Sequence, residues 1–238
     1  MSNLKDKTAI ITGGGQGLGK AVAIALAQEG VHIGLIGRNE EKLKATLAEL
    51  QALNVKAYYS VCSVDDEQAV IKSVAELAEV LGGIDILINN AGIGNFGSIE
   101  SMPSDEWQQV IKTNLFGPYF TAKAVYPYLQ AKGAGDIVNV SSTAGLKAGG
   151  NMSAYAASKA ALISLSQSMM AEWRKQNIRV ITLTPSTIAS EMSINGGLTN
   201  GNPETVLQPE DFAEWVRDIL KMNRRALIAN GSIFSNNP

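Results

Sequence analysis

Cysteine and histidine are almost absent from this chain of 238 residues, which carries one of each, Cys62 and His32. A single cysteine excludes an internal disulfide and a multi-cysteine metal site. His32 lies in a predicted strand, where we expect a packed or hydrogen-bonded structural residue. We therefore predict neither a serine triad that uses histidine nor a histidine-clustered metal site, and we expect no metal.

Strong charge and long apolar runs are also lacking. The net charge is −2 and no five like charges are consecutive, so we expect no nucleic-acid surface. No apolar run reaches the length of a membrane span, and the polar start, residues 1–7, does not resemble a secretory signal. The composition, 45% hydrophobic and 18% charged, is typical of a soluble domain. We expect a cytoplasmic protein without a membrane partner.

Apolar strands and amphipathic helices alternate along the chain. A strand over 8–12, a helix that carries apolar residues from 18 to 26 and a strand over 31–36 form a βαβ unit. We predict one doubly wound α/β Rossmann domain over 1–238, with about seven parallel strands and helices on both faces. The further predicted elements are a helix over 42–53, a strand over 55–61, a helix over 70–81, a strand over 84–88, a helical stretch over 105–132 broken near Gly117-Pro118, a strand near Ile137, a helix over 152–176, a strand over 178–183, a long loop over 185–208, a helix over 209–222 and a strand over 226–229.

A glycine-rich turn connects the first strand to the first helix. Residues 13–19 carry glycine at five of seven positions, which lets backbone N–H groups approach a pyrophosphate at the helix N-terminus. The spacing departs from G-x-G-x-x-G, because Leu18 occupies the last position of that pattern. Within a βαβ unit, the turn still favours a dinucleotide ligand.

The end of the second strand indicates which dinucleotide. An acidic residue there would bind the 2′-hydroxyl of NAD, but this chain has Gly37-Arg38-Asn39. A guanidinium is suited to a phosphate, so we predict that NADP(H) is preferred over NAD(H). The alternative is that Arg38 is a solvated loop residue.

Tyr155 and Lys159 stand one turn apart on a predicted helix. An ammonium about 4 Å from a phenol, at an effective dielectric near 20, contributes roughly 4 kcal/mol, or on the order of three pKa units, in favour of the phenolate. Ser142 follows the apolar run 137–140 and should lie at the tip of a strand. We interpret the three residues as a proton donor, its activator and an oxygen-binding hydroxyl; the alternative is chance spacing.

Taken in order, these motifs resemble the short-chain dehydrogenase/reductase family over nearly the whole chain. The matching residues are the segments 12–19, 89–92, 141–142 and 155–159 together with Asn114. The resemblance implies that Tyr155 is the general acid in reduction, that Ser142 binds the substrate carbonyl and that Lys159 lowers the tyrosine pKa and holds the nicotinamide ribose. It also implies that the backbone carbonyl of Asn114 holds a water in a proton relay, whereas Ser141 is structural.

The resemblance further implies a set of cofactor contacts, with three departures from the family pattern. Ser63-Val64 stands where an Asp often meets adenine, Gln16 where many NADP-using members are basic, and Pro185-Ser186 where Pro-Gly is usual. The implied cofactor-binding residues are Gly13, Gly15, Gln16, Gly17, Leu18, Gly19, Arg38, Asn39, Ser63, Val64, Asn90, Ala91, Gly92, Tyr155, Lys159, Pro185, Ser186, Ile188 and Ser190.

Within the family the pattern looks most like 3-oxoacyl-acyl-carrier-protein reductases of fatty acid biosynthesis, although the tail, residues 229–238, departs from that group. This implies NADPH-dependent reduction of a 3-oxoacyl thioester, with acyl carrier protein as a partner that Lys123 and Lys132 could contact. The alternatives are an NADP-dependent reductase of small ketones, diketones or sugars, and a non-catalytic sensor or scaffold. The family further implies a homotetramer or homodimer, compatible with apolar residues at 116, 120, 125 and 128.

Overall fold

Seven parallel strands form one sheet in the order β3-β2-β1-β4-β5-β6-β7. The computed structural model describes residues 3–236. The predicted doubly wound fold and strand number are confirmed. The strands are β1 (Thr8–Thr12), β2 (His32–Gly37), β3 (Ala57–Val61), β4 (Ile86–Asn89), β5 (Gly135–Val140), β6 (Ile178–Pro185) and β7 (Asn230–Ile233).

Helices cover both faces of this sheet, because successive residues of a buried strand point to opposite sides. Ala9 and Ile11 of β1 pack in a core with the first, second and last helices, whereas Ile10 packs in the opposite core. Within residues 3–236 no helix combines the length and apolarity needed to span a membrane. The helices are α1 (Gly17–Gln28), α2 (Glu40–Gln51), α3 (Glu67–Leu81), α4 (Ser104–Ile111), α5 (Gly117–Lys132), α6 (Ser153–Trp173), α7 (Glu191–Asn195) and α8 (Pro209–Lys221).

Local signals in the sequence explain where several helices begin and end. The Asp66 side chain accepts a hydrogen bond from the backbone N of Ala69 and caps α3. Gly82 ends the same helix in the left-handed conformation. His32 behaves as predicted, since its Nδ1 accepts a 3.2 Å hydrogen bond from the backbone N of Lys56.

A chain of buried polar side chains fixes the two long helices to the middle of the sheet. Thr121 of α5 donates to Asn89 at 2.6 Å, Asn89 donates to Asn139 at 2.9 Å, and Asn139 donates to Ser166 of α6 at 2.8 Å. Because each buried group has a partner, the network costs little and fixes the register of helices on strands.

Two predicted segments contain helical turns that the sequence did not indicate. The stretch 105–132 is not broken at Gly117 but winds as a π-helix over Lys112–Phe116 between α4 and α5. The predicted loop over 185–208 contains the short helix α7, whose start is capped by Ser190. The Ser190 hydroxyl accepts a hydrogen bond from the backbone N of Ser193, a local signal that was missed.

The last strand was predicted too early. Residues 226–229 are not a strand; β7 comes next and pairs with β6 from Thr182 opposite Asn230. The apolar side chains of Leu227 and Ile228 pack against the core. Their hydrophobicity therefore indicates burial and not pairing of this segment with the sheet. Buried Arg179 donates to the carbonyl of Ala226 at 3.4 Å, which holds this segment in an irregular path. Residues 237 and 238 of the tail lie outside the described part of the chain.

Candidate active site

A cleft of about 670 Å³ opens at the carboxyl ends of the strands, where parallel sheets place their ligands. Of the residues predicted to act there, only Gly19 and Asn114 do not line it. The predicted residues that do line it are Gly13, Gly15, Gln16, Gly17, Leu18, Arg38, Asn39, Ser63, Val64, Asn90, Ala91, Gly92, Ser142, Tyr155, Lys159, Pro185, Ser186, Ile188 and Ser190.

The glycine turn presents bare backbone to this cleft. Gly13 and Gly17 have φ values of +68° and +51°, which favour glycine. A Cβ on Gly13 would lie 2.8 Å from Asn90 Nδ2, so a side chain would also clash. Gln16 precedes α1 without a side-chain hydrogen bond to its first turn, which leaves backbone N–H groups for a phosphate oxygen.

Asn90 and Thr12 hold the turn in place from behind. Asn90 Nδ2 donates to the carbonyl of Thr12 at 3.1 Å, and the Thr12 hydroxyl accepts from the backbone N of Asn90 and of Ala91 at 3.1 and 3.0 Å. Gly19 serves the same packing, because a Cβ there would collide with the carbonyl of Gly13. Gly19 therefore packs behind the turn and does not line the cleft, which replaces its predicted contact with the cofactor by a packing role.

The edge of the cleft at β2 carries positive rather than negative groups. Arg38 is exposed and lines the cleft, whereas Asn39 Oδ1 caps α2 by accepting from the backbone N of Lys42 at 2.9 Å. Burial opposes ionisation of Asp65, but hydrogen bonds from Ser63 and Gln109 and the charge of Arg38 lower the pKa of its carboxyl. The charge of Arg38 is therefore felt at Asp65, two residues beyond Ser63 of the cleft lining.

Tyr155 and Lys159 lie on α6 as predicted and face the cleft together. Lys159 Nζ is 5.7 Å from the centroid of the Tyr155 ring and donates to the carbonyl of Val140 at 2.8 Å. Burial lowers the pKa of Lys159 to about 8. Burial also raises the pKa of Tyr155 above its ordinary value, an effect that the hydrogen bond from Ser142 only partly offsets. The predicted lowering of the tyrosine pKa is not found in this arrangement, because burial is the largest effect on the phenol and the Lys159 amine donates to the carbonyl of Val140.

Ser142 is set beside the phenol by the loop that follows β5. Its hydroxyl accepts from the backbone N of Ala144 at 3.1 Å. Gly145 in this loop lies against the backbone of α6, where a Cβ would approach the carbonyl carbon of Lys159 to 2.7 Å. The Ser141 hydroxyl donates to the carbonyl of Lys159 at 2.8 Å, in agreement with its predicted structural role. The loop and the helix therefore hold Ser142 and Tyr155 in one fixed relation.

Asn114 lies behind the cleft, fully buried in the π-helical turn. Its side chain exchanges two hydrogen bonds with the backbone of Ile93, at 2.8 and 2.9 Å, and donates to Ser158 at 3.1 Å. A Cβ on Gly92 would lie 3.3 Å from Asn114 Oδ1 and 3.5 Å from Lys159 Nζ. Asn114 thus connects the segment after β4 to the helix that carries Tyr155.

An aromatic wall beside the phenol was not predicted. The rings of Phe96 and Tyr155 have centroids 5.8 Å apart and are tilted by 60°. Phe96 is held against backbone at Gly94 and Gly196, since a Cβ on either would approach its ring to within 3.0 Å. Met192 closes over the same side of the cleft.

The segment after β6 forms the remaining wall. The carbonyl of Ile188 accepts from the Ser193 hydroxyl at 2.6 Å, and the Ser190 hydroxyl is engaged at the start of α7. Phe96, Lys147 and Leu198 lie in irregular segments that carry no motif, which explains why they were missed. Lining residues that the sequence did not indicate include Lys42, Phe96, Thr113, Lys147, Met152, Glu191, Met192 and Leu198.

Comparisons with known proteins agree with this geometry. A family model described as short chain dehydrogenase matches residues 7–200. Gluconate 5-dehydrogenase of Gluconobacter oxydans is 32% identical over 214 residues, which cover 90% of this chain and 80% of that protein. An alcohol dehydrogenase from the archaeon Thermococcus sibiricus, complexed with 5-hydroxy-NADP, superposes with a TM-score of 0.90 at 28% identity and covers 98% of this chain and 97% of its own. NAD+-bound xylitol dehydrogenase gives 0.87 at 29% identity, with coverages of 99% and 100%.

Proposed function

The chain belongs to the short-chain dehydrogenase family, and from that premise we propose that it reduces a ketone to a secondary alcohol with NADPH. The observation that carries this proposal is the joint position of Ser142, Tyr155 and Lys159 in the cleft that the glycine turn also lines. A non-catalytic dinucleotide sensor would need no phenol and amine in that cavity.

The residues of the glycine turn fit a dinucleotide. Backbone N–H groups at the start of α1 would hold the pyrophosphate, and Arg38 would hold the 2′-phosphate. Lys159 would reach the nicotinamide ribose, as the family resemblance implies. The nicotinamide, when bound, supplies the hydride that the protein itself cannot provide.

Ser142 and Tyr155 do the rest of the chemistry on the substrate oxygen. Both hydroxyls can donate to the carbonyl oxygen, and Tyr155 passes its proton to that oxygen as negative charge develops. The raised pKa of Tyr155 keeps the phenol protonated at neutral pH, which is the form that a proton donor needs. The Lys159 amine, mostly charged below pH 8, lies 5.7 Å from the centre of the phenol ring, so its charge makes only a long-range contribution to the stability of the phenolate that remains.

We favour NADP(H) over NAD(H) on the charges near β2. The strand ends without a carboxylate, and Arg38 lines the cleft directly after it. A carboxylate at this point would repel a 2′-phosphate, whereas a guanidinium can bind it in a bidentate manner.

For the substrate we favour a small free carbonyl compound. Phe96, Met192 and Leu198 give the cleft an apolar wall beside Tyr155, and the relatives named above act on gluconate, an alcohol and xylitol. A 3-oxoacyl thioester is the second candidate. The two lysines considered for a carrier protein are both paired, Lys123 with Glu67 at 2.9 Å and Lys132 with Asp85 at 2.7 Å.

The decisive experiment measures NADPH oxidation against a panel of small ketones, diketones and keto sugars, with acetoacetyl thioesters and NADH for comparison. We expect turnover of free ketones with NADPH that exceeds turnover of thioesters and turnover with NADH. Faster reduction of the thioesters would replace the substrate assignment by the second candidate. Cofactor binding without turnover of any carbonyl compound would refute the proposed enzymatic activity.

We also propose that the chain self-associates as a homodimer or homotetramer through α5. Phe116, directly before this helix, and Tyr119, in its first turn, are 45% and 43% exposed, although Val125 further along is buried against the sheet. Exposed aromatic residues on one helix face are typical of interfaces. Sedimentation analysis of the purified protein and of Phe116→Ser tests this; a wild-type monomer would contradict it.

A further inference from the structure

A polar contact at the rim of the cleft joins three elements that neither the sequence motifs nor the proposed reaction explains. Lys42 Nζ of α2 donates to Glu191 Oε2 of α7 at 2.7 Å and also to Gln16 Oε1 of the glycine turn. All three residues line the cleft. We refer to the contact of Lys42 with Glu191 and Gln16 as the clasp.

The clasp spans the glycine turn from one side to the other. A Cβ on Gly15 would lie 3.2 Å from Lys42 Cβ, so the start of α2 borders one side of the turn. A Cβ on Gly17 would lie 4.0 Å from Ser190 Cβ, so the residue before α7 borders the other side. The ion pair between Lys42 and Glu191 therefore connects the two sides of the turn at which phosphate groups are expected.

Lys42 and Glu191 of the clasp would have opposite electrostatic effects on a bound phosphate. Within residues 3–236, Glu191 is the one acidic side chain that lines the cleft, and Lys42 is one of four basic ones, with Arg38, Lys147 and Lys159. The hydrogen bond and charge of Lys42 lower the pKa of Glu191, which keeps the carboxylate ionised. An incoming phosphate would be attracted by Lys42 and repelled by Glu191.

We propose that Lys42 is a cofactor-binding residue whose partner changes: Glu191 holds it in the arrangement described here, and a phosphate oxygen of the dinucleotide takes it when the cofactor binds. Glu191 then acts as a competitor for Lys42 that lowers the affinity of the protein for the cofactor. This inference rests on the proposed dinucleotide chemistry. The phosphate that Lys42 meets is either the 2′-phosphate or the pyrophosphate, which the two dinucleotides distinguish.

The expected effects are moderate because the clasp is exposed. The side chains of Lys42 and Glu191 are 41% and 55% accessible, and ion pairs of this kind contribute little net stability. Their rearrangement is therefore easy, and it should alter cofactor affinity by several-fold without altering the fold. Glu204 offers a matched control, because it is exposed in the same 185–208 segment and does not line the cleft.

The experiment measures the Kd of NADPH and NADH by isothermal titration calorimetry for the whole protein and four variants, each checked for folding by thermal unfolding. Glu191→Gln should lower the Kd of NADPH by about 3- to 10-fold, whereas Glu204→Gln should leave it unchanged. Lys42→Met should raise it by about tenfold, and Lys42→Arg should retain affinity within about twofold because it keeps the charge.

The NADH titrations identify the phosphate. If Lys42 meets the 2′-phosphate, the Kd of NADH changes by less than about twofold in Glu191→Gln and Lys42→Met; if it meets the pyrophosphate, both dinucleotides shift together. Either result supports the proposal that Lys42 exchanges Glu191 for a phosphate. An unchanged or raised NADPH Kd in Glu191→Gln, or an unchanged one in Lys42→Met, overturns it. If the protein binds the dinucleotides but turns over no ketone, the proposed reaction is refuted, and the Kd values of the variants still test the role of Lys42 and Glu191. A wild type that binds neither dinucleotide refutes both the reaction and this role.

Discussion

The two ends of the cleft are built in opposite ways. At the catalytic end, Lys159 is 4% exposed and Asn114 is fully buried, and both side chains hydrogen-bond to backbone carbonyls. At the phosphate end, Arg38 is exposed and Lys42 is held only by side chains that are themselves accessible. The first end has one arrangement fixed by packing, whereas the second can rearrange at low cost.

The difference follows from what each end must do. Proton transfer requires the donor and the acceptor to lie within hydrogen-bond reach, so the reaction stops if the phenol is displaced. Phosphate recognition depends on net charge at longer range and tolerates mobile side chains. Substitutions at the catalytic end should therefore have large effects on turnover, and substitutions at the phosphate end should have smaller, cofactor-selective effects.

The largest effect is expected for Tyr155→Phe. Loss of the hydroxyl removes the proton donor, and turnover should fall by about 100-fold or more while NADPH binding is retained. Tyr126→Phe is the matched control, because the Tyr126 hydroxyl donates to Gln176 and does not line the cleft. Steady-state rates with the best ketone of the panel provide the measurement, and rates in Tyr155→Phe near those of the control would contradict the assigned role.

The next effect concerns stability and pH at Lys159. Its pKa is about 8 in the folded chain and near 10.5 when exposed, so between these values the unfolded state binds more protons. The free energy of unfolding should then rise with pH from about 8 to 10, by at most about 1.4 kcal/mol per pH unit. Lys159→Met should lack this rise, and Lys72→Met, an exposed control, should keep it.

Denaturant titrations from pH 7 to pH 10 measure this difference. Burial also raises the pKa of Cys62, which opposes the rise at high pH, but this contribution is present in all three proteins and cancels in the comparison. Parallel pH profiles for wild type and Lys159→Met would show that the amine is not buried as the structure describes.

A smaller effect is expected for Arg38→Leu at the phosphate end. The Kd of NADPH should rise by about tenfold and that of NADH by less than about twofold, because only the former carries a 2′-phosphate. Arg225→Leu, exposed and outside the cleft, is the control. Equal weakening of both dinucleotides would show that Arg38 does not distinguish them.

The smallest effect is expected for Phe96→Ala in the substrate wall. Removal of the ring should raise the KM of small ketones by about threefold and lower that of bulkier ones, since the cleft widens beside Tyr155. Phe234→Ala, at an exposed ring away from the cleft, should change neither. If the KM changes in the same direction and by the same factor for all ketones, Phe96 positions Tyr155 rather than the substrate.

The core of the candidate site could be predicted because its residues lie on regular elements. Tyr155 and Lys159 share a helix face, and Ser142 follows a strand, so spacing alone places them near one another. Phe96, Lys42 and Glu191 could not be predicted to line one cleft, since they come from an irregular segment, from α2 and from the short helix α7, which are far apart in the chain. The shift of β7 to residue 230 had a similar cause: apolar residues at 227 and 228 pack on the core without pairing.

Periodicity and the glycine turn by themselves determined a parallel sheet with one ligand cleft at its carboxyl edge, because hydrogen bonding and burial leave few ways to arrange alternating strands and helices. Only the tertiary structure decided the electrostatics inside that cleft. The pKa of Tyr155 is raised rather than lowered, because burial and the direction of the Lys159 amine depend on contacts between distant segments. The pairing of Lys42 with Glu191, 149 positions apart in the chain, was decided in the same way.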